Sequence, residues 1–448
     1  MPKKKTALTI EERLQQALVP AEEQPYEVPE NWVWVRLESV ASWGSGGTPS
    51  RKHEEYYNGD ILWIKTGELN NGWIYDTEEK ITDEGLKKSS AKLFPPYSVL
   101  IAMYGATIGK VAILGVPATT NQACACAVCN QSLLYMYLFY YCISQKNVFI
   151  EKSKGGAQPN ISQIILKQHP IPLPPLSEQQ RIVERIEELF AKLDEAKERL
   201  QEVADSFAVR KAAILHKAFT GELIGKQVTE LVPLENLVDL IKIGPFGSSL
   251  HESDYIENGI PLVNPKHIVQ QRIVPQSKIS ISDEKAEELS SYKLKENDIV
   301  LGRRGEMGRC APISNREENW ICGTGSMIIR LKKEYDAKLY SLILGSQATV
   351  TYLENSAVGS TLKNLNEKIV RKIPVPQFSN EEQHEIVRLI DDLLARERAA
   401  QQAAEQALAS IDLMKKSILA RAFRGELGTN KASEASALEL LRQVLAEN

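Results

Sequence analysis

One stretch occurs twice in this chain, and no other feature constrains its fold as strongly. The first copy spans 171–223, beginning IPLPPLSEQQRIV and ending AFTGEL; the second spans 373–427, beginning IPVPQFSNEEQHEIV and ending AFRGEL. From Glu178 onward the copies align at a constant offset of 204, pairing Ile182 with Ile386, Ile186 with Ile390, Phe219 with Phe423 and Gly221 with Gly425. The chain is therefore two similar halves in tandem.

Each copy carries helical periodicity. In the first, Ile186, Leu193, Leu200, Phe207 and Ile214 recur every seven residues, interleaved with Ile182, Leu189, Ala196 and Val203. In the second, Ile386, Leu393, Ala400, Ala407 and Met414 interleave with Ile390, Ala404, Ile411 and Ile418. This 4–3 alternation predicts a knobs-into-holes seam, with Glu, Lys, Arg and Gln on the outer faces. Ala404 stands where the first copy has Leu200, so one seam is bulky and the other small, which suits pairing of the two helices with each other. Pro174, Pro175 and Pro376 stop the helices upstream, Ser177 with Gln180 and Asn380 with Gln383 are candidate caps, and Gly221 and Gly425 fit the C′ position. About 42 residues at 1.5 Å each make a rod of roughly 60 Å, the dimensions of a spacer.

The segments between the helices read as α+β. Trp32–Val35 and Ile61–Ile64 have strand character, 98–114 reads as two strands around a Gly-rich turn, and 133–149 reads as a helix. Residues 231–377 repeat that order with little identity: Asn58-Gly59 recurs as Asn258-Gly259, Gly109-Lys110 as Gly308-Arg309, and Gly155 with Asn160 as Gly359 with Asn364. Two domains of one fold with diverged surfaces should bind different things. The expected organisation is an appendage with a short helix (1–30), a globular domain (31–175), a long helix (176–225), a second globular domain (226–377), a second long helix (378–428) and a linker with a C-terminal helix (429–448). Thr9 with Glu12 forms a capping-box pattern ahead of Leu14 and Leu18. The helix expected over 437–446 is a suitable partner for that segment, which would close the chain into a pseudo-circular object.

Composition excludes several classes. With 43% hydrophobic and 25% charged residues the chain is globular rather than disordered or fibrous. No run approaches the roughly 18 apolar residues of a membrane span, and MPKKK is followed by an amphipathic segment rather than a signal core, so no membrane role and a cytoplasmic location are expected. The six cysteines (124, 126, 129, 142, 310 and 322) show no framework or metal spacing and read as reduced structural thiols. No phosphate loop, G-x-S-x-G elbow, H-E-x-x-H motif or Asn/Asp-Pro-Pro-aromatic tetrapeptide occurs, and the Gly44–Gly47 loop lacks the helix that a dinucleotide cradle needs. No catalytic residue and no metal site are expected. A net charge of −4 excludes a globally basic coat protein yet allows a local basic groove.

Such a groove would be built from loops in which Gly, Ser and Thr let a basic residue approach phosphate or base edges. In the first domain the candidates are Arg51, Lys52, His53, Lys65, Thr66, Asn70, Tyr104, Lys110 and Lys154. In the second they are Ser248, Ser249, His251, Asn264, Lys266, His267, Arg303, Arg304, Arg309 and Lys363. Arg303 and Arg304 stand out because a guanidinium can pair bidentately with guanine. Lys110 and Arg309 each follow a glycine at matching places in the two halves.

Two diverged globular domains, each followed by a near-repeat of IP(L/V)PxxxEQxxIV and a heptad helix closing in AF(T/R)GEL, resemble the specificity subunit of a type I restriction-modification system. SGGTPS at 45–50 and GPFGSS at 244–249 are similar to that family's motifs as well, and the resemblance covers 32–427. It implies two target-recognition domains, each reading one half of a bipartite site in double-stranded DNA. It also implies that the two helices pack as an antiparallel coiled coil that sets half-site spacing and docks the modification subunits. Pseudo-two-fold symmetry within one chain would then present two similar docking surfaces, hence two modification (methyltransferase) subunits. No cofactor is expected on this chain: S-adenosylmethionine would sit on the methyltransferase subunits, and ATP and Mg on restriction (translocase/nuclease) subunits. The competing reading is a scaffold without a nucleic-acid role, two ligand-binding domains on a coiled-coil stalk.

Overall fold

The computed structural model describes residues 9–153, 159–356 and 364–447. The chain divides into two compact units, Met1–Arg199 with Ala407–Asn448, and Leu200–Gln406.

The first unit is built on a five-stranded sheet of β1 (Ala41–Ser45), β2 (Trp73–Ile74), β3 (Val99–Ala102), β4 (Val111–Leu114) and β5 (Cys124–Cys129), in the order β1-β5-β3-β4-β2. All neighbours are antiparallel except the edge pair β2/β4. Every residue of β3 is buried, because each face of the sheet meets a core. Val99 and Ile101 pack with Tyr137, Leu138 and Cys142 of the helix Tyr135–Ser144, whereas Leu100 and Ala102 pack with Leu62 and Ile64. Leu62 and Ile64 belong to the strand Tyr57–Ile64, which lies between Lys80–Ile81 and Thr119–Thr120 in a second, three-stranded sheet. The helix expected over 133–149 is two helices, Tyr135–Ser144 and Lys146–Lys152, parted at Gln145.

The second unit repeats the plan with four strands: β6 (Val238–Ile243), β7 (Asp298–Gly302), β8 (Cys310–Pro312) and β9 (Ser326–Leu331), in the order β6-β9-β7-β8. Ile299 and Leu301 of β7 face the helix Ala337–Leu344, and Val300 faces the opposite core with Ile328.

The terminal segments meet within the first unit. The helix Ile10–Ala17, capped by the reciprocal Thr9–Glu12 bonds, packs Leu14 and Ala17 against Ala437 and Leu441 of the helix Ala437–Glu447. Arg442 pairs with Glu11 at 3.1 Å, and Arg13 donates to the Leu445 carbonyl oxygen at 3.2 Å.

The first long helix is not one rod: Leu176–Asp205 is followed by Phe207–Phe219, with the break at Ser206. The second, Asn380–Ala422, is continuous over 43 residues. In the first unit Ile182 and Ile186 pack with Leu419, Ala422 and Phe423, and Asp194 pairs with Lys415 at 2.5 Å. In the second unit Leu215 and Ala218 pack with Ile386 and Ile390, and Arg210 pairs with Glu397 at 2.9 Å. In both units an early residue of one helix meets a late residue of the other, so the segments run antiparallel.

Of the expected seam, Ile186, Phe207, Ile390, Ala404 and Ile411 are buried, and Leu193, Leu200, Ile214, Leu393 and Ile418 are partly buried. Val203, Ala400 and Met414 are instead exposed, and Leu419 and Phe423 take the inward positions. A strict seven-residue repeat drifts about 20° per heptad on a straight helix, which carries Met414 out of the contact. The caps also differ from expectation. Ser379, not Asn380, caps the second helix, accepting from Glu382 N at 3.3 Å while its own N–H donates to Glu382 Oε2 at 2.9 Å. Gln383 is turned inward and buried.

Candidate nucleic-acid interface

A glycine-framed hairpin loop follows the central strand in each unit, one residue longer in the first than in the second. In the first, the chain leaves β3, and Met103 N donates to Ala123 O at 2.9 Å while Met103 O accepts from Ile161 N at 3.0 Å. Tyr104 then forms an antiparallel bridge to Asn160, Gly105 and Gly109 adopt left-handed φ of 62° and 75°, and Lys110 leads into β4. In the second, the chain leaves β7, and Arg303 N donates to Gly325 O at 2.7 Å while Arg303 O accepts from Leu365 N at 3.0 Å. Arg304 bridges Asn364, Gly305 and Gly308 have φ of 82° and 74°, and Arg309 leads into β8. Glycine takes such angles at no steric cost, so the glycines fix the turn and leave the residues between them free to vary.

Other loops converge on the same end of each sheet. In the first unit Gly46 N donates to Thr120 Oγ1 at 3.2 Å and Trp63 Nε1 donates to Gly47 O at 2.9 Å. A Cβ at Gly46 would lie 1.8 Å from Thr120 O. In the second, a Cβ at Gly244 would lie 2.2 Å from Gly323 O, and Thr324 Oγ1 donates to Pro245 O at 2.9 Å. The glycines of SGGTPS and GPFGSS thus permit close backbone approach at matching corners.

Arg51 and Lys65 share one anchor in the first unit. The Arg51 guanidinium pairs with Glu79 at 2.7 Å and lies 4.4 Å from the Tyr57 ring centroid; Lys65 pairs with Glu79 at 2.9 Å and Glu78 at 3.3 Å. Hydrogen bonds from Arg51 and then Lys65 hold the Glu79 carboxyl below its usual range. Lys52 and Asn70 are exposed, Thr66 opens the short helix Thr66–Glu68, and His53 is exposed with its ring stacked on Tyr56 and Nδ1 2.8 Å from Glu55. Tyr104 and Lys110 belong to the hairpin loop that joins β3 to β4. Lys154 lies outside the described residues.

In the second unit the 264–267 turn and the 303–309 loop touch: Arg309 Nη1 donates to Pro265 O at 3.4 Å, and its Nη2 pairs with Glu306. Lys266 is exposed on that turn. His267 is 1% exposed, with Nδ1 2.8 Å from Leu262 O and 3.2 Å from Asn264 N. It props the turn from inside and presents nothing to a ligand, and burial pushes its pKa down. The Asn264 carboxamide oxygen is buried beneath the same turn. Ser249 and His251 are exposed on the segment after β6; the side chain of Ser248 and all of Lys363 lie outside the described residues. Arg303 and Arg304 differ: Arg303 Nε donates to Leu365 O at 2.9 Å, and burial, then the Arg304 charge, lower its pKa, whereas Arg304 is exposed. Asn160 and Asn364, which recur at matching places in the two halves, are the bridge partners of the two loops.

Among the described residues no group of three or more His, Cys, Asp or Glu could hold a metal ion, and no helix is long and apolar enough to cross a membrane. The six cysteines are unpaired.

A family model described as the type I restriction modification DNA specificity domain matches residues 29–205 and 235–407. The chain is 25% identical over 465 aligned positions to the EcoBI specificity subunit of Escherichia coli, covering 94% of this chain and 93% of that one. It is 28% identical over 298 positions to the MjaIX specificity subunit of Methanocaldococcus jannaschii, covering 62% of this chain and 68% of the relative. Its fold is similar to the crystal structure of the HsdS subunit from Thermoanaerobacter tengcongensis, with a TM-score of 0.64 at 21% identity, over 90% of this chain and 99% of that one.

Proposed function

The chain belongs to the type I restriction-modification DNA-specificity family, and from that premise we propose how its parts share the work. Each globular part reads one half of a bipartite target in double-stranded DNA. The reading is carried by one observation: a glycine-framed loop stands at the same place in both units with different side chains, Tyr104 and Lys110 in one, Arg304 and Arg309 in the other. Scaffold shared and tips diverged is what two readers of different sequences require, since backbone contacts position a protein on DNA and side-chain tips specify the base. The long helices set the number of base pairs between the half-sites and dock two modification subunits. This chain performs no catalysis: the methyl group comes from S-adenosylmethionine on those partners, and restriction subunits supply ATP- and Mg-dependent translocation and cleavage. The complex acts in the cytoplasm, where the DNA is. The scaffold reading without nucleic acid finds no support in the family.

The test is to map methylated positions in DNA modified by this chain with its modification subunit. A bipartite motif with a fixed gap is expected. Salt-independent binding of the complex to duplex DNA, or methylation without a bipartite motif, would overturn the reading.

A further inference from the structure

Within that reading, we infer that Tyr104 and Arg304 are the same reader position in the two halves, each selecting one base pair of its own half-site, and that Arg303 is a positioning residue that does not read.

The two positions have equivalent backbones and unequal side chains. Both residues stand second after the end of the central strand: Ala102, Met103 and Tyr104 match Gly302, Arg303 and Arg304. Both are preceded by a residue whose N–H bonds the residue just before the strand β5 or β9, and whose carbonyl accepts from the residue after the bridging asparagine. Both bridge that asparagine, Asn160 or Asn364, and both are followed directly by a left-handed glycine. The main chain on each side is therefore held by the same hydrogen bonds, while the side chain is not. Tyr104 is 41% exposed despite its large apolar ring, and Arg304 is exposed and makes no hydrogen bond or ion pair among the described residues. A rigid backbone carrying a free, chemically distinctive tip is suited to base readout, because the geometry of approach is prepaid.

Arg303 is the opposite case. Its Nε is committed to Leu365 O at 2.9 Å, and its own backbone ties two neighbouring segments together. The fork that would pair with guanine is already partly used on the protein. Arg309 is likewise engaged, by Glu306 and Pro265. That leaves Arg304 as the guanidinium in this loop able to form a bidentate pair with guanine O6 and N7, at a G·C pair in the second unit's half-site. At Tyr104 the ring edge and hydroxyl fit an A·T pair, the ring against the thymine methyl.

The test uses the complete modification complex and reads methylated motifs genome-wide, with Arg304→Ala, Arg304→Lys, Arg303→Ala, Tyr104→Ala and Tyr104→Arg. Arg304→Ala and Arg304→Lys should relax one G·C position of one half-site by roughly 10- to 100-fold in discrimination and leave the other half-site intact. Tyr104→Ala should relax one A·T position in the other half-site, and Tyr104→Arg should move the preference there toward G·C. Arg303→Ala should lower methylation of all sites alike without changing the motif. An unchanged motif in the Arg304 and Tyr104 variants, or loss at every position together, overturns the inference. A wild-type complex that methylates no bipartite site would instead refute the functional reading on which it rests.

Discussion

Gln179 donates from Nε2 to the Ser132 carbonyl oxygen at 2.8 Å and from the same amide to Pro174 O at 3.0 Å, while its Oε1 accepts from Leu134 N at 2.9 Å. Its repeat counterpart Gln383 does the same in the second unit, donating to Glu334 O at 2.9 Å and Phe378 O at 3.0 Å and accepting from Asp336 N at 2.8 Å. Both amides are buried. One glutamine at the foot of each long helix thus fastens it to the turn that opens the helix lying on the sheet. The glutamine of the repeat's EQ pair is explained by this fastening.

Replacing either glutamine by leucine removes the partner of one half-buried N–H donor and of two buried or half-buried carbonyl acceptors. Each unmet group costs about 1–3 kcal/mol. We predict that Gln179→Leu and Gln383→Leu each destabilise their unit by at least about 3 kcal/mol, measured by chemical denaturation. A loss under about 1 kcal/mol would contradict the fastening role.

Asp298 and Arg330 form a half-buried ion pair in the second unit, with Nε and Nη2 each 2.7 Å from a carboxylate oxygen and Asp298 only 1% exposed. Arg330→Met strands the carboxylate and should cost about 3–5 kcal/mol. The double variant Asp298→Leu/Arg330→Met should recover most of that loss, because it removes the stranded charge. Equal instability of single and double variants would show that the pair matters only through packing.

His169 sits against Phe149 and Tyr141, and burial, then the Lys152 charge, push its pKa from 6.5 to about 3. The unfolded chain therefore binds a proton below pH 6.5 that the folded chain refuses, so stability falls with pH by about 1.4 kcal/mol per unit over that window. Above pH 6.5 the residue contributes no pH dependence. His169→Phe should flatten the acid limb, narrowing the loss between pH 7.5 and pH 5 by about 2 kcal/mol in thermal or chemical unfolding. Parallel limbs in the two proteins would count against it.

The duplication, the helices and the α+β class were legible in sequence because they rest on repeats and periodicity, and the Thr9 capping box because it rests on local spacing. Ser206 was not, since a one-residue interruption leaves the heptad pattern of Phe207 and Ile214 untouched. Met414 misled because periodicity assumes a fixed period that a long helix does not keep. Among site candidates, His267 carries the composition of a ligand-facing residue but the burial of a prop, and only packing separates the two. Arg303 and Arg304 are indistinguishable as neighbours in sequence; the Leu365 carbonyl tells them apart.

Helix length should translate into target geometry. Deleting seven residues from each long helix in matched positions removes about 10 Å of rise, or about three base pairs at 3.4 Å each. Methylation mapping should show the gap shortened by that amount with both half-site sequences kept. An unchanged gap would remove the helices from the role of spacer.

The most direct test of two independent readers is to replace residues 31–175 with the matching domain of a relative of known target and map the methylated positions made by the complete complex. One half-site should change to the relative's while the other half-site is retained. A motif in which both halves change, or neither does, would contradict it.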